Sequence, residues 1–424
     1  MQPKSHNDWP YERIEHWPPM TYRNCAPPTS ETLSDFANFL QTENSISQKK
    51  ELQPWIPFCE GRCAFCYFPV NCEKQTIALY LKALKKALSF YAKSRYVQSS
   101  VFEELYVGGG SPSILSKDQI VDLLDFCRET FRLTDDCTAK FTACTSDLNE
   151  EKIRTLTASK IDQLDIGIQS FNDQFRKILM LRDSSKNAKQ KLVTAKKHGQ
   201  RVSIDLLYNL PLQTLDQWRD DVKQALELDV ESVDCYPLEL YPETMLAKKI
   251  AAGKLPPNGD DGKELEMYLE AYEIFKANGY LPTCHNRFSR IKEDFGEPSS
   301  EVVGTGAGFF MGHLGRFIYS DIEDIKEYVA TVQNGELPIA RLATISREQA
   351  MRKTIMRIYI RTGVDREKFK VQFGKFPEEE FPHVLRRLHQ KGLIETHDGK
   401  IQLTEKGDPW RVNIAWEFFK PTGQ

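Results

Sequence analysis

The sequence predicts an α/β protein: a partial (β/α)6 barrel between an N-terminal arm and a C-terminal helical, winged-helix-like cap domain. Six short apolar runs alternate with segments of helical periodicity between about residues 50 and 240, the pattern of a parallel sheet with crossover helices. Cys59, Cys63 and Cys66 crowd the end of the first run, and a parallel α/β barrel keeps its chemistry in the loops that follow its strands. The tail carries helical segments followed by a strand-turn-strand.

Residues 1–49 form the arm. Trp9, Tyr11, Trp17, Pro18 and Pro19 point to an irregular segment packed on the body, because a disordered leader carries fewer aromatics. Ser30 to Leu40 suits a short helix. Residues 50–245 form the barrel, whose first strand ends over Trp55 to Phe58. Ala78, Leu79, Leu81, Leu84, Ala87 and Leu88 then share helical spacing. Glu104 to Val107 is the second strand and runs into Gly108-Gly109-Gly110, and Ser116 caps the next helix. Lys140 to Cys144, Ile161 to Ile168, Val202 to Tyr208 and Ser232 to Pro237 complete the strands. Helices near 149–158, 172–180, 186–198 and 215–228 separate them. Residues 246–345 extend the barrel and supply a substrate-pocket segment, with an amphipathic helix over 264–278 stopped by Gly279. Residues 346–424 form the cap domain, with helices over 347–361 and 378–391 and a hairpin that turns over His397 to Lys400.

The bulk numbers exclude several classes. A hydrophobic content of 40% with 28% charged residues is that of a soluble globular chain. The net charge of −3 gives no bias toward nucleic acid, and the mixed charges of the tail argue for a structural cap over a DNA reader. No apolar run reaches the length of a membrane span, and Met1 to Ser5 begins no apolar signal core. Of ten cysteines, three are clustered and seven scattered, which fits a reducing cytoplasm better than a disulfide framework.

The three clustered thiols have the spacing C-x3-C-x2-C, with Phe65 immediately before Cys66. Thiolates are the usual protein ligands of iron–sulfur clusters, and three of them leave one iron of a four-iron cluster open. A zinc site needs a further Cys or His pair, and Cys72 fits that spacing poorly. Gly108-Gly109-Gly110-Ser111 ends a strand, where residues without side chains let a ligand press on the backbone. Gln169 and Asp205 are polar groups in otherwise apolar strands and need partners there.

The cysteine spacing resembles the signature of the radical S-adenosylmethionine (SAM) enzymes. Together with Gly108 to Pro112, Ile166 to Phe171, Asp205 to Pro211 and Gly304 to Gly308, it resembles oxygen-independent coproporphyrinogen III oxidase and its relatives: haem chaperones, anaerobic haem-degrading methyltransferases, cyclopropanases and menaquinone methyltransferases. The likeness runs from about residue 50 to the C-terminus. It implies a [4Fe-4S] cluster on Cys59, Cys63 and Cys66, whose open iron binds SAM and splits it reductively into methionine and a 5′-deoxyadenosyl radical. It also implies that Gly108, Gly109, Gln169, Arg182 and Asp205 contact this SAM beside Phe65. The spacing from Gln169 to Arg182 is one residue longer than in the family. Gly110 and Ser111 would face a second SAM on the far side of the glycine turn from the cluster, and Gly304 to Gly308 would either close that pocket or turn between barrel and tail.

Several positions depart from the decarboxylase. Gln53 and Trp55 stand where it has tyrosine and histidine, Phe68 where it has a further cysteine, and Thr142 where it has a SAM-binding glutamate. The haem chaperone's His-Asn-x-x-Tyr-Trp motif is absent, and His285-Asn286 is followed by Arg287-Phe288. The resemblance thus implies carbon methylation, or a related one-carbon transfer, onto an unsaturated or aromatic small molecule. Haem ring-opening methylation, a haem chaperone without turnover, and porphyrinogen decarboxylation are the alternatives. A reductant such as flavodoxin or ferredoxin and a cytoplasmic monomer complete the expectation.

Overall fold

The computed structural model describes residues 9–19, 25–45, 48–283, 286–295 and 299–420. Six parallel strands build the barrel: β1 (Lys50–Ile56), β2 (Phe102–Gly109), β3 (Leu133–Cys144), β4 (Gln163–Gln169), β5 (Arg201–Tyr208) and β6 (Ser232–Pro237). They lie side by side in sequence order, with helices such as Ile77–Ala92, Lys117–Thr130 and Leu215–Glu227 in the crossovers. Ser116 and Thr214 cap two of those helices as capping boxes with Gln119 and Gln217.

Each strand divides its residues between two faces. Leu52 and Ile56 of β1 are fully buried with Leu84 and Leu88 of the first crossover helix in one core. Glu51, Gln53 and Trp55 fall on the other face, in register with Glu104 and Gly108 of β2. The same face carries Lys140, Thr142 and Cys144 on β3, Asp165 on β4, and Asp205 on β5. An inner face this polar is what a partial barrel open to a ligand can tolerate and what a closed, packed barrel cannot.

The sheet is wider than six strands. Beyond β6 come β7 (Leu281–Pro282) and β8 (Arg287–Ser289), antiparallel, with β8 against β6. Against β1 lies β9 (Glu301–Thr305), parallel to it, followed by antiparallel β10 (Gly312–Leu314), β11 (Phe317–Asp321) and β12 (Ile339–Thr344). Among the described residues this makes one 12-stranded sheet. The expected turn over Gly304 to Gly308 is therefore the end of a buried strand and the bend after it. Gly306 has φ +148°, and a side chain there would run into the Trp55 carbonyl.

The tail has the expected hairpin, β14 (Ile394–His397) and β15 (Lys400–Leu403), preceded by β13 (Val364–Asp365), which pairs with β15. Asp398 and Gly399 both have positive φ, 49° and 75°, as a two-residue primed turn requires. The helix expected over 347–361 ends at Ile355 and continues as a 3-10 turn, and a further helix, Arg366–Phe373, precedes the second. Tyr268 and Tyr272 of the helix Asp261–Ala277 donate to the Pro409 carbonyl and the Asp408 carboxylate, at 3.0 and 2.7 Å, and seat the tail on the barrel.

The arm, where described, is packed as its aromatics predict. Asn413 brackets it, accepting from the Glu15 amide and donating to the Arg13 carbonyl. His16 bonds Asn286 and Glu264, each at 3.1 Å. Trp17 stacks on Tyr236 at 5.6 Å. Ser30–Leu40 is a helix with Thr29 as its cap. His285 lies outside the described residues. No described helix is long and apolar enough to cross a membrane.

Candidate functional site

Cys59, Cys63 and Cys66 lie on the loop that leaves β1 at the mouth of the barrel, and backbone bonds hold that loop. The Cys59 amide donates to the Asn71 carbonyl at 3.0 Å, and the Asn71 amide donates to Pro57 at 2.8 Å, closing the loop at its base. Its middle is pinned where the Ala64 amide donates to Leu179 and the Leu246 amide donates to Ala64, both at 2.8 Å. Ala64 is fully buried among Phe175, Leu179 and Leu246, with Phe65 packed against the same cluster. Arg62 reaches back to the carbonyls of Cys66 and Phe68.

The glycine turn clamps the start of this loop. The Gly110 amide donates to Ile56 at 2.8 Å and the Ser111 amide to Phe58 at 2.7 Å. Gly109 has φ +128°, and a side chain there would collide with the Ile56 carbonyl. A methyl on Gly110 would stand 2.7 Å from the Phe58 carbonyl and 2.8 Å from the Cys59 sulfur. This corrects the expectation that Gly110 faces away from the cysteines, because its open side is turned toward Cys59. Ser111 is buried, and its hydroxyl is 3.0 Å from that of Ser113 and donates to Asp147 at 3.1 Å. Gly108 has Trp55 and Tyr106 over it.

The thiols are buried and mutually repulsive as anions. Burial first, then Cys66 and the other thiols beside it, pushes Cys59 far above the ordinary thiol range. Burial, Cys144 and Cys66 push Cys63 up to about 12, with Arg182 opposing. Burial raises Cys66 too. Such a set stays protonated on its own and becomes a set of thiolates only when a cation neutralises it. Among the described residues no three acidic, His or Cys side chains gather tightly enough for a single metal ion. Thiols close enough to act on one another, with Cys59 against the glycine turn, fit the corners of an iron–sulfur cluster.

The other expected residues come to the same mouth. Arg182 lies over Gly61 so closely that a side chain there would strike its guanidinium. Gln169 ends β4 with φ +66°, a conformation costly for a residue with a side chain. A methyl on Gly167 would be 2.9 Å from the Gln169 amide nitrogen, so Gln169 folds back over the inner face. Asp205 is in register with Gly167 and with Asp234. Burial, then Asp234 and Asp165, pushes its carboxyl up to about 8. Thr142 is 2.9 Å from the Tyr106 hydroxyl.

Sequence reasoning missed three features here. Cys144, at the end of β3, is a fourth thiol close enough to act on Cys59 and Cys63, and its position on a strand away from the motif hid it. Glu60, inside the cysteine loop, bonds to Asp147, which lowers Glu60 and helps burial raise Asp147. An aromatic collar surrounds the mouth: Tyr67 stacks on Phe68 at 4.7 Å and on Tyr241 at 4.2 Å, and Trp55 meets Phe310 edge-on at 5.5 Å.

Comparison with known proteins agrees with this geometry. The model of the radical SAM superfamily matches residues 54–225, and that of the HemN C-terminal domain matches 345–410. The heme chaperone HemW of Bacillus subtilis is 27% identical over 83% of this chain and 94% of its own length. The anaerobilin synthase of Escherichia coli O157:H7 is 25% identical over 93% of this chain and 89% of its own. The structure of coproporphyrinogen III oxidase (HemN) from Escherichia coli superposes with a TM-score of 0.82 at 21% identity, covering 95% of this chain and 96% of that one. The barrel thus matches the radical SAM superfamily, whose members use a [4Fe-4S] cluster and SAM, and the tail matches a HemN C-terminal domain.

Proposed function

We propose that this chain transfers a methyl or methylene carbon to an sp2 carbon of a flat unsaturated or aromatic substrate, using two SAM molecules. The observation that carries this reading is the collar of Trp17, Trp55, Tyr67, Phe68, Tyr241 and Phe310, whose ring contacts border the mouth that holds the cysteines. Aromatic faces bind flat conjugated ligands with little need for hydrogen bonds. Bound here, the cluster and SAM supply a carbon-centred radical for hydrogen abstraction, and the protein supplies position, dryness and electrostatics.

Cys59, Cys63 and Cys66 would hold three irons. Gly108, Gly109, Gln169, Arg182 and Asp205 would hold the first SAM, with Phe65 beneath the loop. Asp205, neutral over much of the physiological range, can donate a hydrogen bond where an ordinary aspartate only accepts. The inner face near Ser111 and Gly304 to Gly308 would hold the second SAM, close enough for near contact between reacting carbons. A one-electron reductant such as flavodoxin or ferredoxin, a cytoplasmic setting and a monomeric chain belong to the same reading.

Haem ring opening by methylation is a second reading, favoured by the anaerobilin synthase match over nearly both full lengths. One experiment addresses both. The reconstituted protein is incubated anaerobically with trideuteromethyl SAM, dithionite and candidate flat substrates, haem among them. 5′-Deoxyadenosine carrying deuterium, formed together with S-adenosylhomocysteine and a labelled product, is the expected result. Unlabelled 5′-deoxyadenosine alongside product would replace methyl transfer by direct hydrogen abstraction, as in decarboxylation. Stoichiometric haem uptake without SAM cleavage would make the chain a carrier.

A further inference from the structure

A second cavity, of about 500 Å³, lies away from the cysteine mouth, between β9–β11 and the helix Arg347–Ile355. Its volume is that of an ordinary small-molecule site. Register alternation puts Val302, His313 and Ile318 on the same sheet face as Glu51, so the cavity sits on the inner face, outboard of β1. Val302 pairs with Glu51, five residues before Ile56, which places this level about 17 Å along the strand from the start of the cysteine loop. None of the residues assigned above to the cluster or SAM lines it.

Its chemistry is one-sided. Met311, Ile318, Ile345 and Met356 give it apolar walls, while Lys353, Arg357 and Arg316 give it three cations. No Asp or Glu is among its described lining residues. Lys353 Nζ lies 2.9 Å from His313 Nδ1 and makes no described ion pair with a carboxylate. Burial and Lys353 hold His313 neutral, down to about 3. Burial and Arg357 depress Lys353 to about 8. Glu301 acts back on Lys353 but is itself engaged by Tyr96, Asn44 and the Gly315 amide, so the cavity wall offers an incoming anion an ammonium and no carboxylate of its own.

We propose that this cavity binds a small apolar monoanion, its carboxylate or sulfonate against Lys353 and its apolar body along Met311, Ile318, Ile345 and Met356. This site is separate from the barrel mouth and does not depend on the reaction proposed there. The probe is 8-anilinonaphthalene-1-sulfonate, titrated by fluorescence into the full chain, with uncharged N-phenyl-1-naphthylamine as its neutral counterpart. The native chain should bind the anion at one site. Lys353→Met should weaken the anion about tenfold or more, the worth of a charged hydrogen bond, and leave the neutral probe within twofold. Glu301 keeps its bonds from Asn44, Tyr96 and Gly315 when Lys353 is methionine, so the variant should fold. Ala350→Trp, which fills the cavity, should abolish both signals in a chain whose thermal midpoint is retained. Equal loss of both probes in Lys353→Met, unchanged anion binding in that variant, or undiminished binding in a folded Ala350→Trp would each overturn the proposal.

Discussion

The two ends of the barrel's inner face are built on opposite principles. Toward the N-terminal ends of the strands Glu104 and Asp165 have described partners, while Glu51, beside Glu104, is pushed up to about 8 by burial and by that neighbour. Glu104 accepts from Lys49 and from Ser299, both at 2.7 Å, with Lys140 at 3.7 Å. Burial opposes its ionisation, but Lys140, Lys49 and Ser299 overcome that and hold it down at about 2. Gln163 donates to Asp165 at 2.7 Å, and one step up, level with Asp205, Arg287 grips Asp234 through two nitrogens, at 2.9 and 2.8 Å. Toward the C-terminal ends the polar groups are poorly matched: buried thiols that repel one another as anions, a raised Asp205 with no described hydrogen bond, and Gln169 in a strained backbone. The floor is, Glu51 apart, a compensated plug. The mouth keeps its needs open, and a bound ligand is what would meet them.

The widest break in that contrast comes from the thiols. Cys59→Ala, Cys63→Ala and Cys66→Ala should each lose the visible absorption of a reconstituted cluster and all SAM cleavage, while far-ultraviolet circular dichroism stays native. Cys144→Ala and Cys72→Ala should keep iron and sulfide at the native ratio. Loss of iron in Cys144→Ala would mean that the fourth thiol completes the ligand set.

The mouth was legible in the sequence because its chemistry is local. Three cysteines in eight residues need no tertiary information, and neither does the alternation of six strands with helices. The floor was not legible. Glu51, Glu104, Lys140 and Asp165 look like surface charges on any one strand and become a network only when the register aligns them. The run Glu301 to Gly308 was obscured by its glycines. Those glycines mark close approach, since a side chain on Gly304 would meet the Phe309 ring. The resemblance that made Gly110 a neighbour of a second SAM gave no sign that Cys59 fills the space beside it. Valine at Gly110 would therefore disturb the cysteine loop before any second site, which makes it a poor probe of SAM number.

At the floor the expected cost is in stability. Arg287→Met leaves Asp234 without its bonded cation and Asp165 with Lys140 alone, and breaking one side of a buried pair costs about 3–5 kcal/mol. Urea unfolding should show that loss, and the double variant with Asp234→Leu should recover much of it. A change below about 1 kcal/mol would mean that the floor is solvated rather than plugged.

Asp205 tests the opposite sign at the mouth. Its folded pKa of about 8 lies above the unfolded value of about 3.9. The folded chain therefore binds the extra proton, and this contribution to stability is present below about pH 4 and lost as pH rises through 8. Asp205→Asn should match the native chain near pH 4 and exceed it by about 1–3 kcal/mol at pH 9. The same variant should bind SAM less tightly, the trade-off of a site that spends stability on function. Parallel urea midpoints across that range would remove Asp205 from the uncompensated class.

The smallest effect expected is at Thr142, and it sharpens the boundary between floor and mouth. Its hydroxyl is 2.9 Å from that of Tyr106, and its backbone is in register with Asp165. Burial, then Asp165, raises Tyr106, so this phenol stays neutral and depends on Thr142 for its bond. Thr142→Val keeps the shape and removes the partner, which should cost about 1 kcal/mol without altering iron content. If Thr142 belongs only to the protein's own bonding, SAM affinity should fall less than threefold. A larger loss with the fold intact would place the hydroxyl against SAM. Thr142→Glu then separates the two further, because a carboxylate set beside Asp165 and Asp205 has no cation of its own until SAM brings its ammonium. That variant should be less stable than native when empty and should regain the difference in saturating SAM. A stability deficit that SAM does not repair would assign Thr142 to the floor.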